Sequence, residues 1–64
     1  MEDYQIRVID EWKELGERID RLTKFMYSPK FLKVKKDEQV RLRLQMNVML
    51  NYSEILSDRI KNFK

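Results

Sequence analysis

The stretch Val40-Arg41-Leu42-Arg43-Leu44-Gln45-Met46-Asn47-Val48 decides the fold. Taken alone, it alternates apolar and polar residues as a half-buried strand does. The residues that follow reverse that reading. Leu42, Met46, Met49, Leu56, Ile60 and Phe63 keep one helical stripe to the end of the sequence, and Val40, Leu44, Val48 and Ile55 form a second stripe beside it. A lone strand would also have no partner strand here, so a helix is expected.

At ~100° per residue the two stripes cover half or more of the helix circumference. One antiparallel neighbour covers a narrower band. The surplus, Val40, Leu44, Val48 and Leu50, calls for contact with other subunits.

Upstream, Val8, Trp12, Leu15, Ile19, Leu22 and Met26 follow alternating steps of four and three, the seam of an amphipathic helix with coiled-coil-like packing. Its acidic start (Glu2, Asp3) and basic finish (Arg21, Lys24) suit the helix dipole. Ser28-Pro29 ends it, because the residue before proline is pushed out of the α region. Gly16 lies inside this helix at a local cost of ~1 kcal/mol relative to alanine, and either permits close packing or is neutral. In the connection, Phe31 and Leu32 among the lysines are expected to cap the end of the hairpin, and Asp37 to N-cap the second helix. The expected fold is all-α, one domain over residues 1–64: an antiparallel two-helix hairpin, about residues 2–27 and 37–62, assembling into a helical homo-oligomer.

Size points to self-assembly as well. A chain of 64 residues rarely builds a sufficient core alone and recruits disulfides, a metal or further subunits. With no cysteine and no histidine, disulfides and the common zinc sites are excluded. Nothing approaches the ~18 apolar residues of a membrane span, and Met1-Glu2-Asp3-Tyr4 lacks the order of a signal peptide. The chain is read as soluble and cytoplasmic. Charged residues make up 39% of it, yet the net charge is only +3 and the signs are mixed apart from Lys30, Lys33, Lys35 and Lys36. Mixing of this kind marks solvated helix faces, and no DNA or RNA polymer is expected as a partner.

Catalysis finds no footing. The usual bases and thiol nucleophiles are missing, Ser28, Ser53 and Ser57 have no evident activating partner, and one glycine makes no phosphate loop. Glu11, Glu14 and Glu17 are carboxylates on a helix flank, where solvation is the ordinary state, so no metal is expected. The four methionines need no cofactor, and none is expected.

More informative are the arginines. Arg41 and Arg59 point the same way between the apolar stripes of the second helix, while Arg7, Glu11, Glu14, Arg18 and Phe25 run down one shoulder of the first. A guanidinium against an apolar face must find a partner. Two readings stand: ion pairs such as Arg7–Glu11, or Arg59 with a glutamate of another subunit; alternatively, an external anion carrying flat rings, held by arginine forks and aromatic faces. Tyr4, one turn before Arg7 and Val8, is either a stacking face or a terminal hydrophobic staple. Trp12 is read as core, and Tyr52 as core with its hydroxyl at an edge.

The joint order of residues resembles a known family. Tyr4-Gln5-x-Arg7-Val8, Glu11, Glu14-Leu15, Glu17-Arg18-Ile19, Leu22 and Phe25-Met26, then Phe31-Leu32, then Leu44-Gln45, Met49, Tyr52-Ser53, Leu56 and Arg59-Ile60, are similar to the phage hairpin-domain family of cyclic-nucleotide sponges. That family includes inhibitors of the bacterial CBASS and Thoeris anti-phage systems. The resemblance covers about residues 3–63, and its weight lies in the joint spacing, since each piece is a common helical pattern. It implies a homo-oligomer, a hexamer in the best-known members, that binds cyclic di- or trinucleotides between subunits without cleaving them, in the cytoplasm of an infected bacterial host cell. By the same resemblance Tyr4 would stack on a base, Arg18 and Arg59 would hold phosphates, and Arg7 would support either the ligand or Glu11. Trp12 and Gly16 depart from positions commonly polar in the family, and Asp20 follows Arg18; these departures bear on the choice of ligand rather than on the fold. The competing expectation is an oligomeric helical interaction module that binds a host protein through the Lys30–Lys36 region and takes no small ligand.

Overall fold

A computed structural model describes residues 1–64. Helix α1 runs Asp3–Met26, a 3-10 turn runs Pro29–Lys33, and helix α2 runs Lys36–Lys61. The helices lie antiparallel in a rod of 46 × 15 × 14 Å. The strand-like stretch 40–48 is helical throughout, because its apolar stripe continues at helical spacing into residues that pack on α1. Both helices fall within one residue of the expected limits.

Local chemistry sets the ends. At the start of α1 the Glu2 backbone N–H donates to Gln5 Oε1 at 2.9 Å, and Gln5 is buried by this role. At its end Ser28 Oγ donates to the Phe25 carbonyl at 2.7 Å, and Pro29 opens the 3-10 turn, where a missing N–H costs nothing. The N-cap of α2 is Lys35 rather than Asp37. Asp37 sits inside the first turn, where its charge suits the helix dipole; its Oδ1 accepts from the Glu38 N–H at 3.0 Å. What secures this entry is Gln39. Its buried amide Nε2 donates to the Phe31 carbonyl at 3.1 Å and to the Val34 carbonyl at 2.8 Å, tying the connection to the helix it feeds.

The core is thin. Val8, Leu15 and Leu56 form its centre, with Leu56 wholly enclosed, and Ile19, Met49, Ile60 and Phe63 pack around them. Phe31 closes the connection end at 4% exposure, meeting Phe25 edge to face with centroids 6.0 Å apart. Leu32 does not join it and stands 76% exposed, because the tight turn sends consecutive side chains in different directions. Trp12 and Tyr52, both expected in the core, are 38% and 41% exposed. Each lies at the edge of its helix's inward face, and a single partner helix covers too narrow a band to reach it. Gly16 permits no close packing within the chain: nothing lies within 4 Å of where a Cβ would stand.

Across α2 the division into two stripes is plain. Leu42, Met46, Met49, Leu56 and Ile60 are partly or fully buried, whereas Val40, Leu44, Val48, Leu50 and Ile55 all remain exposed on the chain's own surface.

Candidate functional site

Antiparallel packing joins the beginning of α1 to the end of α2. The ring of Tyr4 meets that of Phe63 edge to face, centroids 5.9 Å apart and planes at 79°. Half of Tyr4 remains exposed, so the staple and the free aromatic surface are both present in one side chain. Arg7 follows one turn later and lines a shallow surface depression with Asp3 and Ile6. Arg59 lies in the last turn of α2, four residues before Phe63. Tyr4, Arg7 and Arg59 therefore share the open end of the hairpin.

Arg18 does not join them. It lies on the same face of α1 as Arg7, since eleven residues make almost three whole turns, but roughly 16 Å further along the axis.

The electrostatics set Arg41 apart from the other five arginines, Arg21 and Arg43 included. Both salt bridges in the chain belong to Arg41, to Glu38 at 2.9 Å and to Asp37 at 3.4 Å. Arg7, Arg18 and Arg59 are exposed and have no carboxylate within 4.0 Å, so the expected Arg7–Glu11 pair is not formed. Glu11, Glu14 and Glu17 point outward as solvated carboxylates, and no three acidic side chains converge.

A second concavity went unread in the sequence. At the connection end Thr23, Met26, Tyr27, Phe31, Arg43, Met46 and Leu50 line a half-open cavity of about 420 Å³. Arg43 lies over the Phe31 ring, its guanidinium carbon 5.3 Å from the centroid. Tyr27, the C-cap of α1, is 87% exposed on the rim. Arg43, Met46 and Leu50 fall at helical spacing on the flank of the buried stripe, a signal that was available. That Phe31 would reach across to them depends on the 3-10 turn and was not.

The Sequestin family model matches residues 2–62. An uncharacterized 7.5 kDa protein in the denB–rIIB intergenic region of Enterobacteria phage T4 is 44% identical over 61 residues, covering 95% of each chain. No solved structure matches.

Proposed function

The chain belongs to the Sequestin family, whose name denotes sequestration, and on that premise we propose that it is a phage immune-evasion protein that sequesters cyclic di- or trinucleotides. It binds them between subunits of a homo-oligomer, a hexamer by resemblance, without cleaving them. Lowering the free second messenger in the infected bacterial cell keeps a CBASS-type effector switched off.

The observation that carries this reading is the set of unpaired arginines. Arg7, Arg18 and Arg59 are exposed on the chain's surface, with no carboxylate of their own chain within 4.0 Å to neutralise them. A phosphodiester offers the charge and the bidentate geometry that such a group accepts. Tyr4 offers a base its exposed surface. Because Arg18 is far from the open end of its own chain, a pocket using both phosphate contacts draws them from different subunits. Binding with no cleavage needs only these groups, and the sequence supplies no histidine or cysteine for more.

Native mass spectrometry of the protein with a panel of cyclic di- and trinucleotides tests the proposal. The expected result is a defined oligomer that gains integral ligand masses, with the nucleotide recovered intact after denaturation. Arg18→Ala and Arg59→Ala each weaken uptake at least tenfold while the oligomer persists, the loss of a charge-assisted contact of ~1.5–3 kcal/mol. Hydrolysed ligand overturns the sponge mechanism.

One observation favours the competing reading of a module that binds a host protein. Leu32 and Tyr27 stand out into solvent beside Lys30, Lys33, Lys35 and Lys36 at the connection end. Under that reading no nucleotide is taken up, and alanine at Arg18 and Arg59 leaves activity intact.

A further inference from the structure

The single chain exposes more surface than its mass warrants. An 8.0 kDa chain folded as an ordinary compact monomer exposes roughly 4,450 Å²; this one exposes 5429 Å². The surplus, about 1,000 Å², is close to the ~800 Å² that each partner of a standard interface buries. Its shape tells the same story: the radius of gyration is 14.7 Å, against ~11 Å for a compact domain of this length.

Part of that surplus is one stripe. On α2, Val40, Leu44, Val48 and Ile55 are 53%, 58%, 67% and 59% exposed. By helical position they lie within about 80° of one another and roughly opposite the face that packs on α1. Val40 to Ile55 extends roughly 22 Å along the axis. The stripe ends in opposite charges, with Asp37 in the first turn of α2 and Arg59 in the last turn.

Such an arrangement is complementary to itself when reversed. Turned end for end about an axis through Val48, the stripe sets Asp37 opposite Arg59 of the second copy, eleven residues from the axis on either side. The same rotation brings Val40 toward the second copy's Ile55 and Leu44 toward its Tyr52. A parallel pairing would instead place Asp37 on Asp37 and Arg59 on Arg59. Asp37 is available for the contact, because its existing bond to Arg41 is long, at 3.4 Å and in solvent.

We infer that the outward face of α2 is an isologous, antiparallel interface with a second copy of this chain, with Val48 on the two-fold axis and Asp37–Arg59 ion pairs at both ends. This rests on the proposed self-association and names the face and symmetry it uses. It also sets Arg59 at the seam between subunits, where the five N–H donors of its guanidinium leave room for a phosphate beside an exposed carboxylate of the second copy.

The absence of cysteine makes the test direct. Single-cysteine variants are oxidised under mild conditions and separated without reductant. V48C cross-links to itself, since residues on a two-fold axis between packed helices come within disulfide reach. E17C, on the outward side of α1, does not. V40C and I55C each stay uncross-linked alone but form a covalent heterodimer when mixed. Circular dichroism confirms that each variant is folded, which is expected because all four positions are exposed. As a charge test, D37R removes both ion pairs and weakens this contact about two- to thirtyfold, the weight of two exposed pairs, and adding R59D restores it.

Three outcomes overturn the inference. Self-cross-linking by V40C and I55C singly would make the pairing parallel. Cross-linking through E17C and not V48C would place the interface on α1. An oligomer seen by native mass spectrometry in which V48C forms no bond would leave self-association standing and remove this face from it. A monomer at every concentration would instead sink the self-association on which both proposals draw. None of these measurements involves a nucleotide, so failure of ligand uptake is read separately.

Discussion

At the scale of the residue, two buried glutamines do work that hydrophobic patterning does not display. Gln5 closes the start of α1 and Gln39 binds the 3-10 turn to α2. Burying an amide is unfavourable unless its hydrogen bonds are made, and here they are made to backbone groups at the helix ends. Replacing Gln39 with alanine leaves the Val34 carbonyl without its donor, removes one of the two bonds to the Phe31 carbonyl and empties a buried position. The expected loss is about 1–3 kcal/mol, a fall in Tm of roughly 4–8 °C per kcal/mol in a domain of this size. Gln45, exposed and making only a 3.8 Å contact to the Met49 sulfur, is the control: its alanine variant changes stability by less than ~0.5 kcal/mol. A thermal melt in which both variants match the parent would show that Gln39 holds nothing.

At the scale of the element, the two helices were legible for different reasons. The four-three seam of α1 has one continuation, and Ser28-Pro29 ends it by steric conflict, so its limits followed from local rules. In α2 an alternating run competed with a helical one, and length decided, since only the helical pattern persists to Phe63. The N-cap was harder to read. Asp37 is the better capping residue by type, yet α2 starts at Lys36 because the Gln39 amide anchors the preceding turn, a contact between residues eight apart that propensity does not record. Gly16 shows what element-level reading does settle. Its φ is not positive and no atom lies near its missing Cβ, so Gly16→Ala gains helix propensity without a clash. Stability rises by about 0.5–1 kcal/mol, seen as a higher Tm. If the variant instead melts lower or loses its oligomeric state, a second copy is approaching at Gly16 and the gap there is an interface.

At the scale of the whole molecule, the balance of core and surface governs. Three buried aliphatics with four partly buried neighbours hold two helices of 24 and 26 residues, and five aliphatic side chains of α2 remain in water. If the proposed self-association holds, folding and assembly are linked: any partner that binds only the folded chain raises its apparent stability by mass action. Tm is expected to fall by roughly 5–10 °C over a hundredfold dilution. A monomer would melt at one temperature throughout. The same scale explains the candidate site. Tyr4, Arg7 and Arg59 were chosen as positions in a resemblance, and antiparallel packing brings these three to one end. Arg18 stays apart, because helix rise alone puts it far from Arg7. The cavity beneath Arg43 was missed, since it is made where the 3-10 turn folds Phe31 back across the helices.

By itself, the sequence determined the two helices, their break and their apolar faces, because helix rise, periodicity and proline sterics act over a few residues. It also determined that α2 would present more apolar surface than one neighbour could cover. Only the tertiary structure decided which of those residues stay exposed, that Trp12, Tyr52 and Leu32 lie at the margins, and that Arg7, Arg18 and Arg59 are left without carboxylates. Those outcomes depend on how the two helices cross and rotate against each other, a choice made by all the packed side chains together and recorded in no short stretch of sequence.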